Sequence, residues 1–179
     1  NSGQLHALLK PGVSVPITVE LAQETRRKAS EQLRFHRGER LLGSPLMSDL
    51  KERHVMVIGL GGVGSWAAEM LVRTGIGRVT VVDHDRICIT NTNRQSHALH
   101  GTIGKTKAEV LATRMQRINP AAAIEPVVRF YNADSSDELL SLRPDLVLDA
   151  IDNLTAKAHL IANCQDRGIP VISSMGAAA

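Results

Sequence analysis

The segment "VMVIGLGGVGSWAAEML", Val55 to Leu71, constrains this chain more than any other stretch. An apolar, β-branched run enters G-x-G-G-x-G (Gly59, Gly61, Gly62, Gly64) and leaves it as a helical pattern. Glycines permit a tight turn and let backbone approach a phosphate, while the following helix offers unpaired N–H groups and a partial positive charge. Asp83 closes the next apolar run, "RVTVVD", about twenty residues on, where a carboxylate accepts hydrogen bonds from ribose hydroxyls. Strand, turn, helix and acid in that order predict a nucleotide site. They do not separate a dinucleotide dehydrogenase from an enzyme that breaks a phosphate bond.

The alternation continues downstream. "AIEPVVRF", "DLVLDAID" and "PVISSMG" read as strands, and Lys105 to Asn119, "SSDELLSL" and "NLTAKAHLIANCQDR" as helices. With 43% hydrophobic but only 2% aromatic residues, the core must be built from Val, Ile, Leu and Ala. That suits an α/β fold, a doubly wound, mostly parallel sheet covered by helices on both faces. A length of 179 residues suffices for one such core. Upstream, "TVELAQETRRKASEQLRFHRGERLL" reads as helix with Gly43 as its stop, and "SPLMSDLKER" as a shorter one. The organisation expected is a loose leader over 1–17, an N-terminal helical arm over 18–53 and a nucleotide-binding domain over 54–179.

The polar segment "HDRICITNTNRQSHALHGTIG" is too long for an ordinary connection and so suggests function. It places Asn91, Asn93, Arg94 and Gln95 just beyond Asp83; Asp85, close to that acid, reads equally as a ligand or a turn residue. Lys105 and Lys107 fall on the first turn of the next predicted helix, where the dipole disfavours cations, so something negative is expected to offset them. "DAID" delivers Asp149 and Asp152 at the carboxyl end of a strand, the edge where open α/β sheets bind ligands. Basic side chains that clamp a triphosphate and a carboxylate that holds Mg²⁺ equip phosphate chemistry. A nicotinamide site needs neither.

Other features point nowhere in particular. Cys88 and Cys164 form no C-x-x-C pair, and Cys164 reads as a small core residue. His84, His97 and His100 lack ligand spacing and read as surface or packing residues. A net charge of +3 permits a nucleic-acid partner without requiring one. No stretch approaches the ~20 apolar residues of a membrane span.

The order G-x-G-G-x-G, Asp83, N-x-x-R-Q (Asn91 to Gln95), the helix lysine and D-x-x-D-N (Asp149 to Asn153) resembles the ThiF/MoeB/HesA group, the adenylating relatives of ubiquitin-activating enzymes. The resemblance runs from about Gln32 to the last residue. It implies a Rossmann-like fold in which ATP adenylates a carboxylate with release of pyrophosphate. The four glycines and Asp83 would hold the adenosine and its ribose. Asn91 and Arg94, with Asn93 beside them, would contact phosphates; Lys107 would neutralise the α-phosphate region and Asp152 would bind Mg²⁺. The group also uses an arginine from its N-terminal helix, often from a neighbouring subunit. Arg34, Arg37 and Arg40 are candidates, Arg37 by spacing for the carrier-activating branch and Arg40 for the tRNA-modifying branch. Action in trans would make the protein at least a homodimer.

Within the group, "GVGSWAAEMLVRTGIG", "TNTNRQSHAL" and "VLDAIDN" are most similar to the tRNA threonylcarbamoyladenosine dehydratases, with Trp66 and His97-Ala98-Leu99 leaning the same way. This implies a tRNA substrate whose threonylcarbamoyl carboxylate, beside the anticodon, is adenylated before ring closure expels AMP. The alternative is adenylation of the C-terminal glycine of a ubiquitin-like or sulfur-carrier protein. The resemblance further implies a sulfur-carrier or cysteine desulfurase system as a partner. With no secretory feature in view, the location expected is cytoplasmic, a mitochondrial one not being excluded. The chain, running from Asn1 to "SSMGAAA", is expected to be part of a longer protein, with the group's substrate-receiving half beyond it.

Overall fold

The structure, a computed structural model, describes residues 19–174. The leader expected over 1–17 and the end of the last expected strand lie outside the described residues. Two compact units divide at His36 and Arg37. In the first lies helix α1 (Val19–Arg34), and α2 (His36–Leu42) follows. The single helix expected over this stretch is therefore two, and the break falls where Phe35, His36 and Gly38 make helix propensity poorest. Gly43, at φ 83°, ends α2 as the sequence suggests.

In the second unit, α3 (Ser44–Glu52) precedes β1 (His54–Ile58), α4 (Gly64–Thr74), β2 (Arg78–Val82) and a single 3-10 turn over Ile89–Asn91. Then come α5 (Lys107–Ile118), β3 (Ala123–Val127), α6 (Ala133–Leu140), β4 (Leu146–Asp149), α7 (Leu154–Asp166) and β5 (Val171–Ser173). The five strands form one sheet in the order β3-β2-β1-β4-β5, and every pairing is parallel. Alternation along β1 divides the core. Val55 and Val57 face Ala68, Val72, Leu111 and Met115 from α4 and α5. Met56 and Ile58 face the other way, with Leu139, Leu140, Leu160 and Cys164 from α6 and α7. This is the doubly wound architecture the composition requires.

The strand order also locates the site. The chain builds outward from β1 through β2 to β3, then crosses back to β4 and β5. The order reverses beside β1, so a crevice opens at the carboxyl ends of β1, β2 and β4.

One element read as belonging to that edge does not serve it. Asp149 is 1% exposed and its Oδ2 lies 2.6 Å from the Lys157 ammonium, itself buried on α7. That ammonium also donates to the Ser173 hydroxyl and the Ser174 carbonyl, tying α7 to the ends of β4 and β5. Burial makes this pair structural. Replacing Lys157 with Met should destabilise the fold by about 3–5 kcal/mol, because a buried carboxylate then lacks its counter-charge. Urea unfolding of the variant checks this.

Candidate functional site

A cleft of about 620 Å³ occupies the crevice. The glycine turn forms its floor, and the four glycines divide by function. A Cβ at Gly64 would lie 1.8 Å from the Gly59 carbonyl oxygen, and one at Gly59 would lie 2.6 Å from that of Ala150. Both residues are glycine because backbone meets backbone there, and Gly64 does not line the cleft. Gly61 differs: a Cβ there would meet nothing within 4 Å. Its missing side chain leaves space on the cleft floor, the opening a phosphate needs. No side chain caps the N-terminus of α4, and although the Ser65 N–H already donates to the Gly61 carbonyl at 3.2 Å, the positive end of the helix faces the glycine turn.

Asp83 is 9% exposed and lines the cleft. Its Oδ2 accepts from the Leu60 N–H at 2.7 Å and its Oδ1 from the Asp85 N–H at 2.8 Å. One carboxylate thus ties the glycine turn to the turn after β2, and each oxygen keeps a lone pair for a ribose hydroxyl.

The helix expected from Lys105 begins instead at Lys107, so only Lys107 stands in its first turn. Its nearly buried ammonium lies 2.6 Å from Asp85 and 4.0 Å from Asp83. The negative group expected to offset this lysine is therefore Asp85. The Lys107 hydrogen bond in turn holds the Asp85 carboxyl below its ordinary range, against some burial.

Asn91 and Arg94 both line the cleft. The Asn91 side chain accepts from the Cys88 N–H at 2.9 Å and so braces the 3-10 turn. The Arg94 guanidinium donates to the Thr90 carbonyl and the Asn93 side chain, at 3.1 and 3.0 Å. Asn93 itself is exposed outside the cleft and bears on it only through Arg94. Arg37 and Arg40 are exposed on α2, upstream of the sheet, and do not line the cleft.

Among the described residues, two places at the cleft offer carboxylates to a cation. Ligand atoms of Asp83, His84 and Asp85 lie within 4.8 Å of one another. The Lys107 ammonium already supplies the positive charge there. Asp152 is exposed, lines the cleft, and its side chain makes no hydrogen bond or ion pair among the described residues. It is the carboxylate that fits a divalent cation, which keeps several waters and takes one or two protein oxygens.

The sequence pattern of the ThiF family matches residues 33–179. The chain belongs to the ThiF family. It is 45% identical over 144 residues to the tRNA threonylcarbamoyladenosine dehydratase of Escherichia coli K12, covering 80% of this chain and 54% of that protein. It is 43% identical over 144 residues to the enzyme of the same name from Bacillus subtilis 168, covering 80% of this chain and 57% of that one. Among solved structures, the E. coli tRNA N6-threonylcarbamoyladenosine dehydratase TcdA in complex with ATP superposes with a TM-score of 0.80 at 41% identity, covering 91% of this chain and 63% of that chain. This ThiF-family chain thus spans about half the length of the curated relatives it matches. No helix among the described residues is long and apolar enough to cross a membrane.

The ThiF-family cleft has walls that residue patterns did not single out. Arg129, Phe130 and Tyr131 line it immediately after β3, which ends at Val127 rather than running on to Phe130. The available signal was position, since parallel strands align their carboxyl ends and the Asp83 N–H donates to the Val127 carbonyl. Gln95, which the polar segment does bring forward, is nearly buried at the cleft, with its Oε1 unpartnered. His97 is a packing residue, fully buried with both ring nitrogens unpartnered. Burial, helped by the Lys107 charge, pushes its pKa down to about 4.

Two predictions follow from these environments. Gly61→Ala should fold like the parent yet lose affinity for ATP, whereas Gly64→Ala should unfold at markedly lower urea; calorimetric titration and urea unfolding separate them. For His97, the folded pKa lies below the unfolded value of about 6.5. The unfolded chain therefore takes up a proton that the folded chain refuses. Stability contributed by this residue is complete above pH ~6.5 and falls by about 3 kcal/mol as pH drops to about 4. Burial lowers the pKa of His54 with the same sign, so unfolding free energies of wild type and His97→Gln should be compared across this range.

Proposed function

We propose that the protein containing this chain uses ATP to adenylate the carboxylate of threonylcarbamoyladenosine in tRNA, then allows ring closure with loss of AMP. One observation carries the reading: Arg94, Lys107 and Asp152, from three separate segments, meet the glycine turn and Asp83 in a single cleft. Two cationic side chains and a carboxylate able to hold a cation, gathered on one site, serve charge that grows on phosphoryl oxygens, which hydride transfer does not create. The named relatives, tRNA threonylcarbamoyladenosine dehydratases, support the choice of carboxylate.

In the first step a substrate carboxylate oxygen attacks the α-phosphorus, and the bond to pyrophosphate breaks with its electron pair leaving on pyrophosphate. Lys107 stands beside Asp83 and Asp85, so it is placed to neutralise the α-phosphate of a nucleotide whose ribose is held at Asp83. Arg94 stabilises the departing end, and the N–H groups opening α4 hold the phosphates between them. Mg²⁺ bound at Asp152 would supply further neutralisation of the phosphates. In the second step a nucleophile within the threonylcarbamoyl group attacks the activated carbonyl and AMP departs. No protein nucleophile is required. Arg37 and Arg40 do not line this chain's own cleft, so either would act there only from a second copy, in a homodimer. A tRNA substrate places the reaction where tRNA is handled, the cytoplasm first.

The test is ATP–pyrophosphate exchange by the full-length protein with threonylcarbamoyl-modified tRNA, with unmodified tRNA, or with a sulfur-carrier protein. Exchange should require the modified tRNA. Arg94→Ala, Lys107→Ala and Asp152→Asn should each slow it by about 10²–10³-fold, the scale of a lost electrostatic stabiliser. Exchange supported by the carrier alone overturns the substrate while keeping the chemistry.

A further inference from the structure

The reading above makes Arg94 a phosphate contact, and the present inference rests on it. Arg94 lies in the long polar connection between β2 and α5, where only the short 3-10 turn over Ile89–Asn91 is regular. Something must hold its backbone in place. The Arg94 and Gln95 N–H groups donate to the Asn91 carbonyl, which fixes local curvature but not position relative to the glycine turn.

That position is set by the first turn of α4. The Trp66 indole N–H donates to the Arg94 carbonyl at 2.9 Å. One residue earlier, the Ser65 hydroxyl accepts from the Ser96 N–H at 3.2 Å, and the Ser65 carbonyl accepts from the Ser96 hydroxyl at 3.3 Å. The Arg94 side chain then crosses Gly62, where an added Cβ would sit 3.4 Å from its Cγ and Cδ. The helix turn that opens toward the phosphates therefore also carries the arginine segment. The serine contacts are buried and serve packing. Trp66 is different, because 47% of its surface remains exposed and apolar burial is not its whole contribution. Its one polar atom is spent on the carbonyl of the arginine.

We propose that Trp66 is a positioning residue for Arg94: its indole N–H, anchored on α4, sets the guanidinium over the glycine turn for the phosphates beyond the α-phosphate. Trp66 touches no reacting atom and acts only through Arg94.

Two variants separate the N–H from the ring. Trp66→Phe keeps an aromatic ring and loses the donor. Trp66→His keeps a five-membered ring with a nitrogen at the matching place and loses the fused benzene. The readout is calorimetric affinity for ATP and for AMP on the full-length protein, with melting temperature alongside and Arg94→Ala in parallel. Trp66→Phe should weaken ATP by about three- to tenfold, a fraction of what a charge-assisted hydrogen bond contributes, and leave AMP unchanged. Trp66→His should retain most of the ATP affinity, and Trp66→Phe should add nothing in the Arg94→Ala background. Equal weakening of ATP and AMP, or effects that multiply with Arg94→Ala, overturns the inference and makes Trp66 a packing residue. Unchanged ATP affinity in Arg94→Ala overturns it together with the role of Arg94. These affinities need no tRNA, so a failure of the substrate assignment in the exchange assay is seen separately.

Discussion

The contact between Gly64 and the carbonyl of Gly59 governs the site, because it allows a helix to begin with its backbone pressed against the strand that feeds it. A side chain at either position would push α4 away from the ends of β1 and β4. With both absent, the uncapped first turn of α4 stands at the reversal point of the strand order. Three further contacts inherit that placement: Asp83 accepts the Leu60 N–H within the turn, Arg94 crosses Gly62, and Ser65 and Trp66 grip residues 94–96. The floor of the cleft and the groups above it are consequences of one backbone approach.

The charges around the cleft are held in two distinct ways. Lys107 is nearly buried and locked to Asp85, so it presents its field with little freedom to reorganise. Such preorganisation is where electrostatic catalysis gains most over water. Arg94 is exposed and rests on neutral acceptors, the Thr90 carbonyl and the Asn93 side chain, so no counter-charge holds it in place. Glu69 shows the contrasting structural use of charge on α4. Burial raises its carboxyl pKa, but hydrogen bonds from Arg114 and Arg73 outweigh that and leave the pKa lowered. That network fastens α4 to α5 through the Glu69–Arg114 pair, outside the cleft.

Much of this is legible in the sequence. The parallel, doubly wound sheet follows from alternating apolar runs, and Asp83, Arg94, Lys107 and Asp152 all reach the cleft that the glycine turn announces. What stayed hidden depends on pairing across distance. Asp149 and Asp152 look alike as neighbours in "DAID", yet one is buried against Lys157 and the other faces the cleft, a difference set by α7. Gly64 reads as a phosphate glycine but serves packing. The partner of Lys107 lies across the polar connection, and no local pattern matches it to Asp85. Phe130 and Tyr131 carry no motif, and only strand alignment brings them to the site.

The sheet order has a consequence for how such a site comes into being during synthesis. β1 pairs on one side with β2, a short distance downstream, and on the other with β4, which follows only after α5, β3 and α6. The His54 N–H donates to Asp145, 91 residues later in the chain. As the chain emerges, the glycine turn, Asp83 and Arg94 are all present well before the wall that carries Asp152. A nascent chain at that stage holds half a cleft, open on the side where β4 belongs. Long-range parallel pairing is slow to form, so closing that side is the step on which a complete cleft waits.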